Sequence, residues 1–392
     1  MSECGALLSR PALARVLQSL LVAALKTSRG RAQKKGEDHG LESWPETFAL
    51  GEGETSLGCD SLEMLWISAA VNEMFHLHEA GLELELLQAA TFGGWMDAIE
   101  EAWSRGVSDL TFCTSGTTGA AKRCTHSYAF LSEEMDFLSN YFASARRIVG
   151  CSPAHHLYGF LFCAMLPDRL SLGVTTGLPK GNGSASGAVR EGDLIVAVPE
   201  IWRWLERSVT CWPTGVQGVV SGGPCDREVL RSLVKQGLAG ITEVYGSSET
   251  AGIGVRCWPN AGYRLMPQWS PRDTDAVPQT LIHSSGVRVD LMDRVAWSPD
   301  GTFEVAGRLD GAVQVGGVNV YPERIAERLR ERPGVRTVDL RLRSAELGGR
   351  FEATIGLQED ATEDQIRAGL EAWMRLHLTV AEQPKTLAFA RA

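Results

Sequence analysis

The sequence predicts an α/β protein: a layered large domain, a helical region ahead of it and a small α+β cap behind it. Three patterns carry this expectation. Between Cys113 and about Arg308, apolar strand-like runs alternate with segments of helical periodicity, the order that lays helices against a sheet. Beyond Asp310 the order becomes strand, helix, strand, strand, helix, which suits a separate small unit. Ahead of residue 107 the apolar spacing is helical, so the expected division is 1–106, 107–309 and 310–392.

From the N-terminus, Ala12 to Lys26 carries Leu17, Leu20, Leu21, Ala24 and Leu25 on one helical face, and a polar linker follows from Thr27 to Gly40. Asp60 or Ser61 caps a second helix, with Leu62, Leu65, Trp66 and Ala69 expected to face the core. Thr91-Phe92 leads a further helix to Trp103. Asp109–Cys113, Arg147–Cys151 and Leu194–Val198 read as strands, and Ser127–Phe142 as a helix. In the cap, helices are expected at Pro322–Arg332 and Thr362–His377, with strands at Thr337–Leu342 and Glu352–Leu357. The sequence shows no internal repeat.

Thr114-Ser115-Gly116-Thr117-Thr118-Gly119-Ala120-Ala121-Lys122 lies between a strand and a helix and reads as a phosphate-binding loop. Its glycines let backbone N–H groups approach a polyphosphate, its hydroxyls donate further bonds, and Lys122 supplies a mobile charge. The lysine is neither preceded by glycine nor followed at once by Ser or Thr, so this is not the Walker form.

The loop resembles the signature of the acyl-adenylate-forming ligases, and downstream segments extend the likeness. Val244-Tyr245-Gly246-Ser247-Ser248-Glu249-Thr250 is similar to the second signature of that superfamily. The resemblance implies that Tyr245 packs on adenine, Ser248 meets the phosphates and Glu249 holds Mg²⁺, a hard cation that takes oxygen ligands. Asp293 and Gly307-Arg308-Leu309-Asp310 resemble the ribose-binding aspartate, the arginine and the hinge residue. Gly316 and Gly317 then match a loop that admits the thiol arm of coenzyme A. Ser152 to Gly159, with His156 and Tyr158, resembles the segment lining the carboxylate pocket. Ser221-Gly222-Gly223-Pro224 resembles the turn beside adenine and the acyl group. The implied catalytic residues are His156, Glu249 and Lys122; the implied ligands are ATP, Mg²⁺ and coenzyme A. Length, the His-x-Tyr-Gly segment and the short ends are most similar to the short bacterial 4-coumarate–CoA ligases associated with activation of the photoactive yellow protein chromophore. Tyr158, with Trp202 following the strand that ends at Val198, is then expected to form a flat slot for an aromatic acid.

Two departures stand beside this likeness. The chain ahead of the phosphate loop is shorter than in full-length acyl-CoA ligases, and Leu57-Gly58-Cys59-Asp60-Ser61-Leu62 resembles the attachment site of an acyl carrier, with Ser61 as the phosphopantetheine acceptor. At the other end, the stretch to Ala392 stops before the lysine that family members place on the carboxylate, leaving Lys385 and Arg391 as substitutes. Two other functions therefore stay open: loading an acid onto an acyl-accepting protein, and nucleotide binding without catalysis.

Composition bounds the rest. A net charge of −10 disfavours nucleic-acid or anionic-membrane partners. The run Leu20–Leu25 is too short to span a bilayer. Nine cysteines without a C-x-x-C pair fit reduced thiols in the cytoplasm and argue against zinc.

Overall fold

The computed structural model describes residues 6–29, 43–51, 53, 56–114, 122–178, 188–260, 262–272, 279–315, 318–343, 350–359 and 361–390. Ser115, Gly116, Thr117, Thr118 and Gly119 of the expected phosphate loop, Gly316, Gly317 and Arg391 lie outside the described residues.

Helix α1 (Arg10–Arg29) buries Leu13, Val16, Leu17, Leu21 and Leu25, one stripe at helical spacing. Helix α2 (Ser61–Phe75) starts with a capping box: Asp60 Oδ1 accepts from Glu63 N at 2.8 Å, and Asp60 N donates to Glu63 Oε2 at 3.2 Å. The expected core face of α2 is overturned. Leu62, Leu65 and Trp66 are 75%, 51% and 53% exposed, and Ile67, Val71, Met74 and Phe75 are the buried residues. The Glu63 carboxylate is drawn to Arg29 on α1 at 2.7 Å, which sets the rotation of α2 about its axis. A short turn, α3 (Glu85–Gln88), and α4 (Phe92–Ser104) complete this region. Buried side chains of these helices, among them Leu17, Phe75, Trp95 and Trp103, form one continuous core with Phe112, Ile148 and Phe160 of the following region.

Strands β1 (Asp109–Thr114) and β2 (Lys122–Ser127) pair antiparallel, with Thr111 opposite Thr125. The Ser127 hydroxyl caps α5 (Tyr128–Tyr141) by accepting from Phe130 N at 3.2 Å. Then come β3 (Arg147–Gly150), α6 (Leu157–Phe160), a π-helical turn over Leu161–Met165, α7 (Leu166–Leu170) and β4 (Gly173–Thr176). The order continues through β5 (Asp193–Ala197), α8 (Pro199–Ser208), β6 (Gln217–Val220), α9 (Arg227–Lys235), β7 (Gly240–Ser247), β8 (Ala251–Cys257) and β9 (Tyr263–Leu265). A small three-stranded sheet, β10 (Trp269–Pro271), β11 (Thr280–His283) and β12 (Arg288–Asp290), precedes β13 (Asp293–Trp297) and β14 (Thr302–Arg308).

The main sheet has nine strands in the order β13-β14-β9-β8-β7-β6-β5-β3-β4. Its β4-β3-β5-β6-β7 half is parallel, and the pairings from β7 through β8, β9 and β14 to β13 are antiparallel. Parallel strands are covered on both faces, which is why β5 is buried throughout. Leu194 and Val196 point into the core shared with the N-terminal helices, whereas Ile195 and Ala197 point to the opposite core beneath α8 and α9.

Beyond Asp310, β15 (Val313–Val315) and β16 (Val318–Val320) form a ribbon. Helix α10 (Pro322–Arg330), β17 (Val335–Leu342), β18 (Phe351–Leu357), α11 (Glu363–His377) and β19 (Thr386–Ala390) follow. Val315, Val320, Ile325, Leu329, Phe351 and Leu370 belong to a third core of this unit. The expected order of helices and strands holds here, except that its first strand is a two-stranded ribbon and an additional β19 pairs parallel with β18.

Candidate functional site

In open α/β sheets, ligands gather at the carboxyl ends of the parallel strands, where loops replace hydrogen-bonded backbone. His156 follows β3 there, Ser221, Gly222 and Gly223 follow β6, and Tyr245 to Glu249 end β7. Gly222 has φ 82°, a left-handed turn that a side chain would strain. Ser221 Oγ donates to the Val244 carbonyl at 2.9 Å, tying this turn to β7.

The turn from β7 to β8 is built to hold Glu249 outward. A Cβ on Gly246 would lie 2.0 Å from the Ala251 carbonyl oxygen, so only glycine lets β8 approach this closely. Ser247 N donates to Thr250 Oγ1 at 3.0 Å, and Glu249 N donates to Ser247 Oγ at 3.2 Å. Ala251 has φ 54°, a conformation retained only where surrounding bonds enforce it. Glu249 thereby meets the Lys122 ammonium, 127 positions away in sequence. Burial opposes its ionisation, but hydrogen bonds from Lys122 and Ser247 outweigh this and hold its carboxyl below the usual range.

His126 escaped the sequence reading. It is buried on β2, four residues beyond Lys122, and its Nε2 lies 2.7 Å from the Ser248 carbonyl. Burial pushes the imidazole down, so the ring is neutral, and its contact with an acceptor requires the proton on Nε2. This bond fixes β2 against the turn that carries Ser248 and Glu249. Its sequence signal is slight: the alternation of β2 places position 126 inward.

A second cluster links β7 to the end of the main sheet. The Tyr245 hydroxyl donates to Asp293 Oδ2 at 2.8 Å, and Asp293 stands opposite Arg308 in the β13–β14 pairing. Arg308 makes a two-bond ion pair with Asp310, Nε to Oδ1 at 2.8 Å and an Nη to Oδ2 at 2.7 Å. Ala312 N and the Tyr321 hydroxyl also donate to Asp310, at 3.1 and 3.0 Å. These donors, Arg308 foremost, hold the Asp310 carboxyl far below the usual carboxylate range. Position 310 is therefore a junction where the last strand of the large sheet, the β15 ribbon and the start of α10 converge on one carboxylate.

The aromatic slot expected from Tyr158 and Trp202 does not form. Trp202 is fully buried on the sheet-facing side of α8, and its indole Nε1 donates to the Val219 carbonyl at 3.1 Å. Tyr158 packs on the other face of the sheet, edge-on to Phe162, and its hydroxyl donates to that same carbonyl at 2.9 Å and to Ala197 O at 3.3 Å. The sheet separates the two rings, and the Tyr158 hydroxyl is committed to backbone. His156 is exposed beside His155, with ring centroids 4.2 Å apart. His155 Nδ1 lies 2.7 Å from Ser19 Oγ on α1. Ser61 is exposed at the first turn of α2, and Lys385 is exposed just ahead of β19.

Residues 110–301 match the model of the AMP-binding enzyme family. A 4-coumarate–CoA ligase of Halorhodospira halophila is 34% identical over 383 residues, 95% of this chain and 94% of that protein. Another, of Cereibacter sphaeroides, is 35% identical over 397 residues, 98% of this chain and 93% of its own length. In fold, the amide bond synthetase McbA of Marinactinospora thermotolerans superposes with a TM-score of 0.57 at 16% identity, over 96% of this chain and 90% of that one. The chain belongs to the AMP-binding enzyme family, on an adenylate-forming ligase fold and with the chemistry of an acid–thiol ligase. Among the described residues no helix is long and apolar enough to cross a membrane. The eight described cysteines form no disulfide.

Proposed function

We propose that this chain is an ATP- and Mg²⁺-dependent 4-coumarate–CoA ligase. The observation that carries the chemistry is the meeting of Lys122 and Glu249 at the strand ends, beside the Tyr245–Asp293 pair. A cation and a hard carboxylate at the mouth of a phosphate-type loop suit the two requirements of a bound metal–nucleotide complex. The specific acid rests on the two relatives bearing that name.

In the first half-reaction a carboxylate oxygen of the acid attacks the α-phosphorus of ATP, the bond to the β-phosphate bridging oxygen breaks, and pyrophosphate leaves. Lys122 separates from Glu249 to face the phosphates and neutralises charge that builds on them. Glu249, ionised and half-exposed, would hold Mg²⁺, which when bound would supply positive charge to offset that on the phosphates. Tyr245 presents its ring to adenine while its hydroxyl orients Asp293 toward the ribose hydroxyls. Arg308 lies on the same side and completes the ribose contacts. Gly222 and Gly223 leave room beside the nucleotide, and Ser221 and His156 border the acyl group. In the second half-reaction the CoA thiolate attacks the acyl carbonyl and AMP leaves, after the cap turns about Asp310 to bring Gly316 and Gly317 to the site.

The test is exchange of labelled pyrophosphate into ATP, with each acid supplied singly and CoA omitted. Exchange that depends on 4-coumarate supports the reading. Exchange with fatty acids alone removes the aryl assignment, and exchange with no acid removes the ligase.

A further inference from the structure

Where α2 ends, the chain turns through His76-Leu77-His78-Glu79, away from every residue assigned above. His76 adopts φ 54° and ψ 37°, the left-handed region, and this turn brings the Glu79 carboxylate back to the His76 ring nitrogen. The result is a cluster in which one ligand atom each of His76, His78 and Glu79 lies within 4.8 Å of the others. The rings of His76 and His78 stack with centroids 5.6 Å apart. His76 Nδ1 is 2.8 Å from Glu79 Oε1, and His76 Nε2 is 2.7 Å from Thr111 Oγ1 on β1. The Thr111 hydroxyl in turn lies 2.7 Å from Thr125 Oγ1 on β2.

We propose that His76, His78 and Glu79 bind a divalent transition metal of the zinc class. Two imidazole nitrogens and a carboxylate oxygen suit Zn²⁺, Co²⁺ or Ni²⁺, whereas Mg²⁺ and Ca²⁺ favour oxygen alone. Metal–ligand bonds of about 2.0–2.1 Å in a tetrahedral site set ligand atoms about 3.3 Å apart. The His76–Glu79 contact opens slightly to reach that value, and the wider spread closes by rotation of His78 and Glu79, both exposed. Three protein ligands leave the remaining position to water.

The outer shell is already built. A metal-bound histidine donates its other ring N–H to a fixed partner, which sets the tautomer and the ring plane. Thr111, buried on β1, is that partner. With Nδ1 on the metal, Nε2–H donates to Thr111 Oγ1 and the Thr111 hydroxyl donates in turn to Thr125 Oγ1. Without metal, Nδ1–H donates to Glu79 and Thr111 donates to Nε2. The change reverses a proton order without moving the threonines. Thr111 precedes the end of β1 at Thr114 by three residues, so an occupied site braces the strand that leads into the phosphate loop.

The test uses the untagged full chain, titrated with Co²⁺ in reducing buffer and followed by visible absorption, with Zn²⁺ added as competitor. The expected result is one saturable site with the spectrum of nitrogen and oxygen ligands, displaced by Zn²⁺. His78→Ala and Glu79→Ala, both exposed, weaken it at least about tenfold, and Thr111→Val weakens it about tenfold through the outer shell. Zn²⁺ raises the unfolding temperature of the wild type but not of His78→Ala. Absence of saturable binding, equal affinity in His78→Ala, or a near-ultraviolet sulfur charge-transfer band showing that cysteines hold the metal would each overturn the proposal.

Discussion

Replacing Glu249 with Gln separates what the Lys122–Glu249 pair does for the fold from what its members do for the reaction. The two side chains are 59% and 45% exposed, so the pair lies in the regime where solvent screens most of the Coulomb attraction. Its contribution to stability is below about 1 kcal/mol, and the unfolding temperature should move by no more than a few degrees. The turn itself survives, because Ser247 and Thr250 hold it through backbone and hydroxyl contacts that the substitution leaves in place. Catalysis is another matter. Loss of a charged contact to the reacting phosphates costs about 2–4 kcal/mol in the transition state, a fall in kcat/KM of roughly 30- to 900-fold. The assay is acid-dependent pyrophosphate release at saturating Mg²⁺, beside thermal unfolding of the same preparations. Near wild-type turnover with an unchanged fold would refute the assignment of Glu249 to the nucleotide. A collapse of stability would refute the separation of roles.

Three further outcomes follow from named contacts. Glu134 is fully buried, with Oε2 accepting from Gly252 N at 2.8 Å and Oε1 unpartnered, and burial pushes its carboxyl up to about 7. Because the folded value lies above the unfolded one, the native state binds the extra proton, and stability declines as pH rises from the unfolded value toward about 7. Glu134→Gln should flatten that decline and be more stable than wild type at higher pH, measured by denaturant unfolding across the range; an unchanged slope would contradict it. Asp310→Asn weakens the ion pair that joins β14, the ribbon and α10, so CoA-ester formation should fall further than adenylate formation; equal losses in single-turnover assays of the two steps would remove the hinge. Tyr158→Phe removes a hydroxyl bonded to backbone, so it should cost about 1 kcal/mol of stability and leave the ratio of 4-coumarate to cinnamate turnover unchanged; a narrowed ratio would return the hydroxyl to the substrate.

Much of the fold was legible because its determinants are local. Parallel strands buried on both faces read as short apolar runs, as at Leu194–Val198, and Ser127 and Asp60 announce their helices by capping chemistry. The site motifs are local in a similar way: glycine, hydroxyl and charge are concentrated in a few positions near Lys122 and Glu249, and the structure brings these two side chains together. What failed depended on which face of an element meets which neighbour. Helix α2 is apolar on more than one side, so either Leu62-Leu65-Trp66 or Ile67-Val71-Phe75 could have been its core stripe. The choice is made by packing against α1 and by the Arg29–Glu63 pair, which no local pattern reveals. Tyr158 and Trp202 both sit near strand ends, yet sequence does not show that they lie on opposite faces of the sheet. His126 acts on a backbone carbonyl 122 positions away, a partner without any side-chain signature.

Coupling of ATP cleavage to thioester formation on an aromatic acid is the reaction expected of this chain. It is tested most directly by incubating the purified chain with ATP, Mg²⁺, CoA and one acid at a time, and quantifying AMP, pyrophosphate and acyl-CoA by mass spectrometry. The expected products with 4-coumarate are equimolar AMP, pyrophosphate and coumaroyl-CoA, with slower formation of the ester from cinnamate or octanoate. Release of ADP in place of AMP, or octanoyl-CoA formed faster than coumaroyl-CoA, would contradict it.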